Sequence, residues 1–279
     1  MNRIYLSTYG IAFSDYETLK RQVDAFPDFQ LGIEYATEWK TPDFHERLTA
    51  QITDMAGIPA TIHAPFVEIC TVPGSEEEAY MEACFDKACW YYQQFHATSM
   101  VIHTNEGSFP EEERSAKRAR TKEVLLRWYE KLRKMGIEMT VENVGYPLKD
   151  NLLFDYDEFV RLFAELPDEI GCLIDTGHAM LNGWDIVKLI KTLGPRIRGY
   201  HLNNNDGKHD SHYPLYDSEG YYSPQQIDEM LRAIAIYSPN ADLGIEYAPD
   251  GRFTTESLYA DIRRVVRVTE EAASQMHRV

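Results

Sequence analysis

The feature that most constrains this chain is an alternation. Short runs rich in β-branched and apolar residues recur at 3–9 (RIYLSTY), 31–36 (LGIEYA), 60–64 (ATIHA), 99–103 (SMVIH), 137–143 (IEMTVEN), 171–176 (GCLIDT), 197–202 (IRGYHL) and 242–247 (DLGIEY). Amphipathic stretches follow them at 15–26, 42–56, 76–96, 111–135, 155–166, 184–193, 223–237 and 254–275, each long enough for a crossover helix. Several of the short runs are almost continuously apolar, which is how strands covered on both faces read. Eight such βα units in 279 residues predict an α/β chain closed into a (β/α)8 TIM barrel rather than an open doubly wound sheet. No Pro/Gly/Ser-rich linker or charge block interrupts them, so residues 1–279 are expected to form a single domain. The basic run KRAR (117–120) follows EEER within one helical pattern and is expected to be a solvated face with internal ion pairs.

A barrel of this kind carries its chemistry at the C-terminal ends of its strands and in the loops that follow. Those positions hold Glu34, His63, His103, Glu142, Asp175 with His178 three residues on, His201 and Glu246, and the loop after His201 adds Asp206, His209, Asp210 and His212. Six of the nine histidines fall on this rim, whereas His45, His96 and His277 lie in helical patterns. So many ionisable groups in one mouth leave carboxylates repelling one another and imidazoles unpaired unless a cation joins them. The expected cofactor is therefore a divalent metal, one to three ions. Mixed imidazole and carboxylate donors without thiolate suit zinc, manganese or cobalt better than calcium. The four cysteines (70, 84, 89, 172) form no CxxC pair and are expected to be ordinary thiols of a reducing compartment. In this light GYHLNNNDGKHDSHY (199–213) reads as a ligand-bearing loop, because Asp210 and His212 lie two apart on one side of an extended segment.

The fragments HAP (63–65), VIH (101–103), VEN (141–143), IDTGHA (174–179), RGYHLN (198–203), the D-x-H of Asp210 and His212, and GIE (244–246) resemble the xylose-isomerase-like TIM barrel superfamily. That group includes apurinic endonucleases of the endonuclease IV type and many sugar isomerases and epimerases. The resemblance runs from the first strand to the eighth and implies two alternative sites. In single-metal sugar isomerases and epimerases one Mn, Co, Mg or Zn ion is held by a quartet that maps onto Glu142, Asp175, His201 and Glu246. In the endonuclease branch a trinuclear zinc site maps onto His63, His103, Glu142, Asp175, His178, His201, Asp210, His212 and Glu246. The motifs leave both open.

Departures from each pattern shift the balance toward a small sugar as partner. Phe66 stands where the endonuclease branch often has a tyrosine, no basic loop is evident, and a net charge of −17 opposes attraction to a phosphate backbone. Nucleic acid is thus disfavoured as partner. Against the tagatose-epimerase-like group, its substrate-contacting arginine is missing after His201, where only Lys208 and His209 lie near. The expected activity is a metal-dependent isomerase or epimerase in which a proton passes through an enediolate between Glu142 and Glu246, with His178 orienting a hydroxyl. Trp39, Phe66, Trp184, Lys208 and His209 are the substrate-binding candidates. The alternatives are hydrolysis of abasic DNA or another phosphoester, and a barrel that binds metal and sugar without turnover. MNRIYLSTYG has no apolar run of signal-peptide length, and no stretch reaches the roughly 20 apolar residues of a membrane span. A cytoplasmic location without a membrane partner is expected, and the oligomeric state is open.

Overall fold

The computed structural model describes residues 2–37, 43–145 and 152–276. Within them eight parallel strands close in chain order: β1 (Ile4–Ser7), β2 (Gly32–Ala36), β3 (Ala60–His63), β4 (Met100–His103), β5 (Met139–Glu142), β6 (Gly171–Asp175), β7 (Ile197–Leu202) and β8 (Asp242–Ile245), which returns to β1. The helices are α1 (Tyr16–Asp24), α2 (Phe44–Asp54), α3 (Glu76–Gln94), α4 (Arg114–Lys134), α5 (Tyr156–Glu165), α6 (Thr176–Leu181), α7 (Ile186–Leu193), α8 (Pro224–Tyr237) and α9 (Thr255–Met276). This is the (β/α)8 barrel the alternation predicts. One element is additional: α6 begins at once after β6 and has six residues, too few to show a helical period. It forms because the Asp175 carboxylate accepts the His178 backbone N–H at 2.6 Å, a side-chain N-cap at the strand's last residue.

The other helices start on similar local signals. Asp155 with Glu158, and Ser223 with Gln226, make reciprocal capping boxes, and Pro224 occupies the first turn of α8. Outward strand residues such as Ile33, Ile62, Ile102, Val141 and Ile174 are buried beneath the helical layer, where Trp128 of α4 stacks on Phe85 of α3 at 3.9 Å between ring centroids. The KRAR run does more than line a solvated face. Arg118 pairs with Glu158 of α5 and Arg120 with Glu78 of α3, so α4 is tied to both neighbours as well as to its own Glu123. All four cysteines are buried. Among the described residues no helix is long and apolar enough to cross a membrane.

Register is what turns this scaffold into a site. Parallel pairing sets Ser7 beside Glu34, Glu34 beside Thr61, His103 beside Glu142, Asp175 beside His201, and His201 beside Gly244. Inward-facing positions at the upper end of the barrel are thereby polar, yet Ser7, Glu34, His63, Glu142, Asp175 and His201 are buried and His103 is half-buried. A cavity of about 510 Å³ opens at the N-terminal ends of the strands and is lined by Tyr5, Glu34, Thr61, Thr140, Gly199 and Gly244.

Candidate metal centre

Five histidines and four acidic residues meet at the C-terminal end of the barrel. Glu142 is fully buried and stands at the centre. Its Oε2 lies 3.2 Å from His63 Nε2 and 3.2 Å from His103 Nε2, while its Oε1 lies 3.1 Å from His201 Nδ1 and 3.4 Å from His178 Nδ1. Glu246 Oε2 is 3.2 Å from the same His201 Nδ1, and Ser7 donates to its Oε1 at 3.1 Å. On the far side Asp210 bridges two rings, with Oδ2 3.3 Å from His178 Nε2 and Oδ1 3.2 Å from His212 Nε2. Donor atoms of Glu142, Asp175, His201 and Glu246 all fall within 4.8 Å of one another, as do those of His63, Glu142 and His201, and those of Asp175, His178 and His212.

Each imidazole has one nitrogen fixed and the other turned to a shared carboxylate. His63, His178 and His212 place Nδ1 at 2.8, 2.8 and 3.1 Å from the backbone carbonyls of Ala64, Asn143 and Glu246. A carbonyl oxygen only accepts, so Nδ1 must carry the proton and Nε2 is left as the lone-pair donor. His103 achieves the same through Glu106, which pairs with its Nδ1. His201 is reversed: Nε2 lies 2.8 Å from Glu34 Oε1, and Nδ1 faces Glu142 and Glu246. Histidines that ligate metals are held in this way by outer partners that set tautomer and ring direction.

Electrostatics give the same reading. Burial alone would raise the Glu142 carboxyl, but His201 and His103 outweigh it and hold it well below the ordinary range. Burial would likewise depress His103 and His212; Glu142 and Glu106 push the first up to about 10, and Asp210 pushes the second up to about 9. His178 and His201 are also raised against burial, chiefly by Asp175 and by Glu246. Asp175 itself is raised by burial, offset in part by His178 and His212. In the metal-free chain the rings are drawn to take protons that neutralise the carboxylates. A divalent cation would supply that charge instead, and the donors, nitrogen and oxygen without sulfur, fit zinc, manganese or cobalt.

The asparagine triplet explains how the ligand loop is held. Asn203 donates to Asp175 Oδ2 at 2.7 Å. Asn204 bridges to Tyr213 through backbone bonds of 2.9 and 2.7 Å and donates to the carbonyls of Leu215 and Tyr222. Asn205 donates to the Gly177 carbonyl at 2.7 Å. Gly177 is required by this packing, since a Cβ there would come 1.9 Å from Asn203 Oδ1. His212 sits at φ +43°, a left-handed conformation that costs a non-glycine residue energy and recurs at functional sites.

All nine expected metal-site residues are therefore brought together. The substrate-binding candidates scatter. Phe66 packs its ring 4.8 Å from that of His63 and 5.3 Å from that of His103, and beyond it a groove of about 590 Å³ runs past Glu68, Glu76, Glu77, Tyr80 and Glu106. Trp184 is buried in the helical layer against Phe159 and Tyr156. Lys208 and His209 are exposed, with His209 Nδ1 2.7 Å from Asp206. Trp39 lies outside the described residues. Sequence reasoning missed Glu106, which pairs with a histidine three residues before it, and gave Glu34 no role although it named its strand end. Asn143 was missed as well; it brackets Asp175 through bonds of 2.9 and 3.1 Å to the backbone.

Comparison with known proteins agrees with this picture at the level of the family. The model of the xylose isomerase-like TIM barrel family matches residues 23–268. No curated protein matches the chain. Among solved structures, a D-tagatose 3-epimerase-like protein is 16% identical with a TM-score of 0.75, covering 96% of this chain and 98% of the other. The IOLI protein with a bound zinc atom is 14% identical with a TM-score of 0.73, covering 98% of each chain. Endonuclease IV from Thermus thermophilus is 18% identical with a TM-score of 0.60, covering 96% of this chain and 99% of the other. These identities speak for the fold alone, while the match of the family model over most of the length is decisive: the chain belongs to the xylose isomerase-like TIM barrel family.

Proposed function

We propose that this barrel holds two or three divalent metal ions and hydrolyses a phosphoester of a small substrate. The observation that carries the reading is that every one of the five rim imidazoles presents a nitrogen to a carboxylate it shares with another ring. A single-ion site at Glu142, Asp175, His201 and Glu246 would leave His63, His103 and His212 oriented without purpose. Under this reading His63, His103 and Glu142 hold one ion, Glu142, Asp175, His201 and Glu246 a second, and His178, Asp210 and His212 a third. Such ions supply an acidified water and neutralise charge on a phosphoryl group.

The chain's own residues do the rest. Asn203 and Asn143 hold Asp175, Ser7 holds Glu246, and the phenyl ring of Phe66 shields the His63 and His103 face from water. The acidic groove beside Phe66 and the charge of −17 repel a long phosphate backbone, so duplex DNA is a poor substrate.

A second reading, the sugar isomerase or epimerase, is favoured by the compactness of the Glu142, Asp175, His201 and Glu246 quartet. It needs Glu142 as a proton carrier, yet both Glu142 oxygens already face two imidazoles each. Elemental analysis of protein purified without added metal or chelator, followed by two assays, separates the readings. Two or more ions per chain with cleavage of a model phosphoester supports hydrolysis. One ion, no cleavage, and solvent deuterium entering a carbon-bound position of a ketose would transfer the assignment to the isomerase.

A further inference from the structure

Two carboxylates stand directly behind metal-facing histidines without belonging to the ligand set. We infer that Glu34 and Glu106 are positioning residues, each fixing the ring nitrogen that its histidine presents and so setting the affinity of a different metal position, His201's by Glu34 and His103's by Glu106. This rests on the metal-centre reading proposed above.

Glu34 is 4% exposed and its Oε2 accepts from Thr61 at 3.2 Å, which leaves Oε1 to face His201 Nε2 at 2.8 Å. That contact lies off the donor axis, and neither atom has another hydrogen-bond partner. His201 is fully buried with its ring against Gly244, where a Cβ would come 3.1 Å from Cδ2. It alone of the five rings presents Nδ1, and Glu34 is the group that makes this possible. With a carboxylate at Nε2 the proton stays there and the Nδ1 lone pair is free; without it the proton can settle on Nδ1 and block the metal. Glu106 does the converse for His103, holding the proton on Nδ1 so that Nε2 meets Glu142 Oε2. The other three rings are set by backbone carbonyls, which no substitution of a side chain removes.

The two positions accept test substitutions readily. Glu34 borders the 510 Å³ cavity, and the Glu106 side chain is 26% exposed, so an isosteric amide fits at either site. Full-length protein stripped of metal is titrated with cobalt(II), reading bound ions per chain, their dissociation constants and the visible absorption bands, alongside melting temperatures of the metal-free forms. Glu34→Ala, which removes the acceptor, is expected to weaken one ion by about 10- to 100-fold and Glu106→Ala a different one by a similar factor. The remaining ions should bind as in the parent, and the metal-free melting temperatures should stay near the parent's. Glu34→Gln and Glu106→Gln, whose amide oxygen still accepts the ring proton as a backbone carbonyl does, should recover much of that affinity. Parent-like affinity at every position in both alanine variants overturns the inference. So does equal weakening of all ions with a matching fall in metal-free melting temperature, the mark of a merely structural role. A parent chain that takes up no cobalt and no zinc overturns the metal-centre reading itself.

Discussion

At the scale of single residues, Glu142 is the most heavily committed group in the candidate metal centre, with two imidazoles at each carboxylate oxygen. Glu142→Gln puts an amide NH2, which only donates, where one oxygen accepted. We expect this variant to retain fewer ions by elemental analysis and to lose activity by about 10²-fold or more, the cost of misplacing reacting groups by an ångström. Gly177→Ala tests the loop packing instead. A methyl group 1.9 Å from Asn203 Oδ1 must push the asparagine off Asp175, an overpacking cost of about 1–3 kcal/mol that a thermal melt will register. No fall in melting temperature would mean that Asn203 has another place to go. The candidate ligands were legible in the sequence because a strand end is a position, and a barrel gives that position a meaning. Glu106 was not, because a residue that acts through a neighbouring ring needs no particular place along a strand, only a side chain long enough to reach it.

At the scale of elements, the segment from Asn203 to Tyr222 brings Asp210 and His212 to the mouth of the barrel. Arg252 clamps it from outside, with its guanidinium 3.8 Å over the Tyr213 ring and ion pairs of 3.4 and 2.8 Å to Asp217 and Glu219. Arg252→Ala should therefore speed deuterium exchange at the Asn204 and Tyr213 amides and weaken the ion at His178, Asp210 and His212 while leaving the central one unchanged. Unaltered exchange would show that the asparagines suffice. Periodicity reveals long helices and buried strands, and here it located eight of each. It fails below about two turns, which is why α6 passed unseen although its capping aspartate and its glycine were both in plain view in DTGH. The expectation for KRAR held only in part: Arg120 pairs within its own helix with Glu123, but a helical wheel does not show that Glu78 and Glu158 wait on the two adjoining helices.

At the scale of the whole molecule, the proposed metal would compete with protons for one set of donors, and stability should follow. In the metal-free chain His103 and His212 are raised to about 10 and about 9 from an ordinary value of 6.5. Their contribution is complete below about pH 6.5 and is lost as pH rises through 9 to 10. Glu142 and Asp210 are depressed, so theirs is complete above the ordinary carboxylate range and lost as pH falls below it. The metal-free chain should then be most stable from about pH 5 to 6.5. Zinc must displace protons to bind, so the rise in melting temperature that it confers should grow from about pH 6 to pH 9. Melts with zinc and with a chelator across that span check both trends; parallel curves would mean the imidazoles are not ligands. The number of strands and their closure were legible in the sequence from the repeat, whereas the inner filling of the barrel, with its cavity, depends on side-chain volumes at Gly199 and Gly244 that no repeat announces. Closure of β8 on β1 also has a consequence in time. The chain is made from one end, and about 180 residues separate His63 from Glu246, roughly 10 to 40 s of translation. If the proposed metal centre is right, a nascent chain would offer His63, His103 and Glu142 to passing ions long before Glu246 exists, and a ribosome stalled before β8 would hold only an incomplete ligand set. On that reading, retention of a full complement of metal would report completed synthesis as much as catalytic readiness.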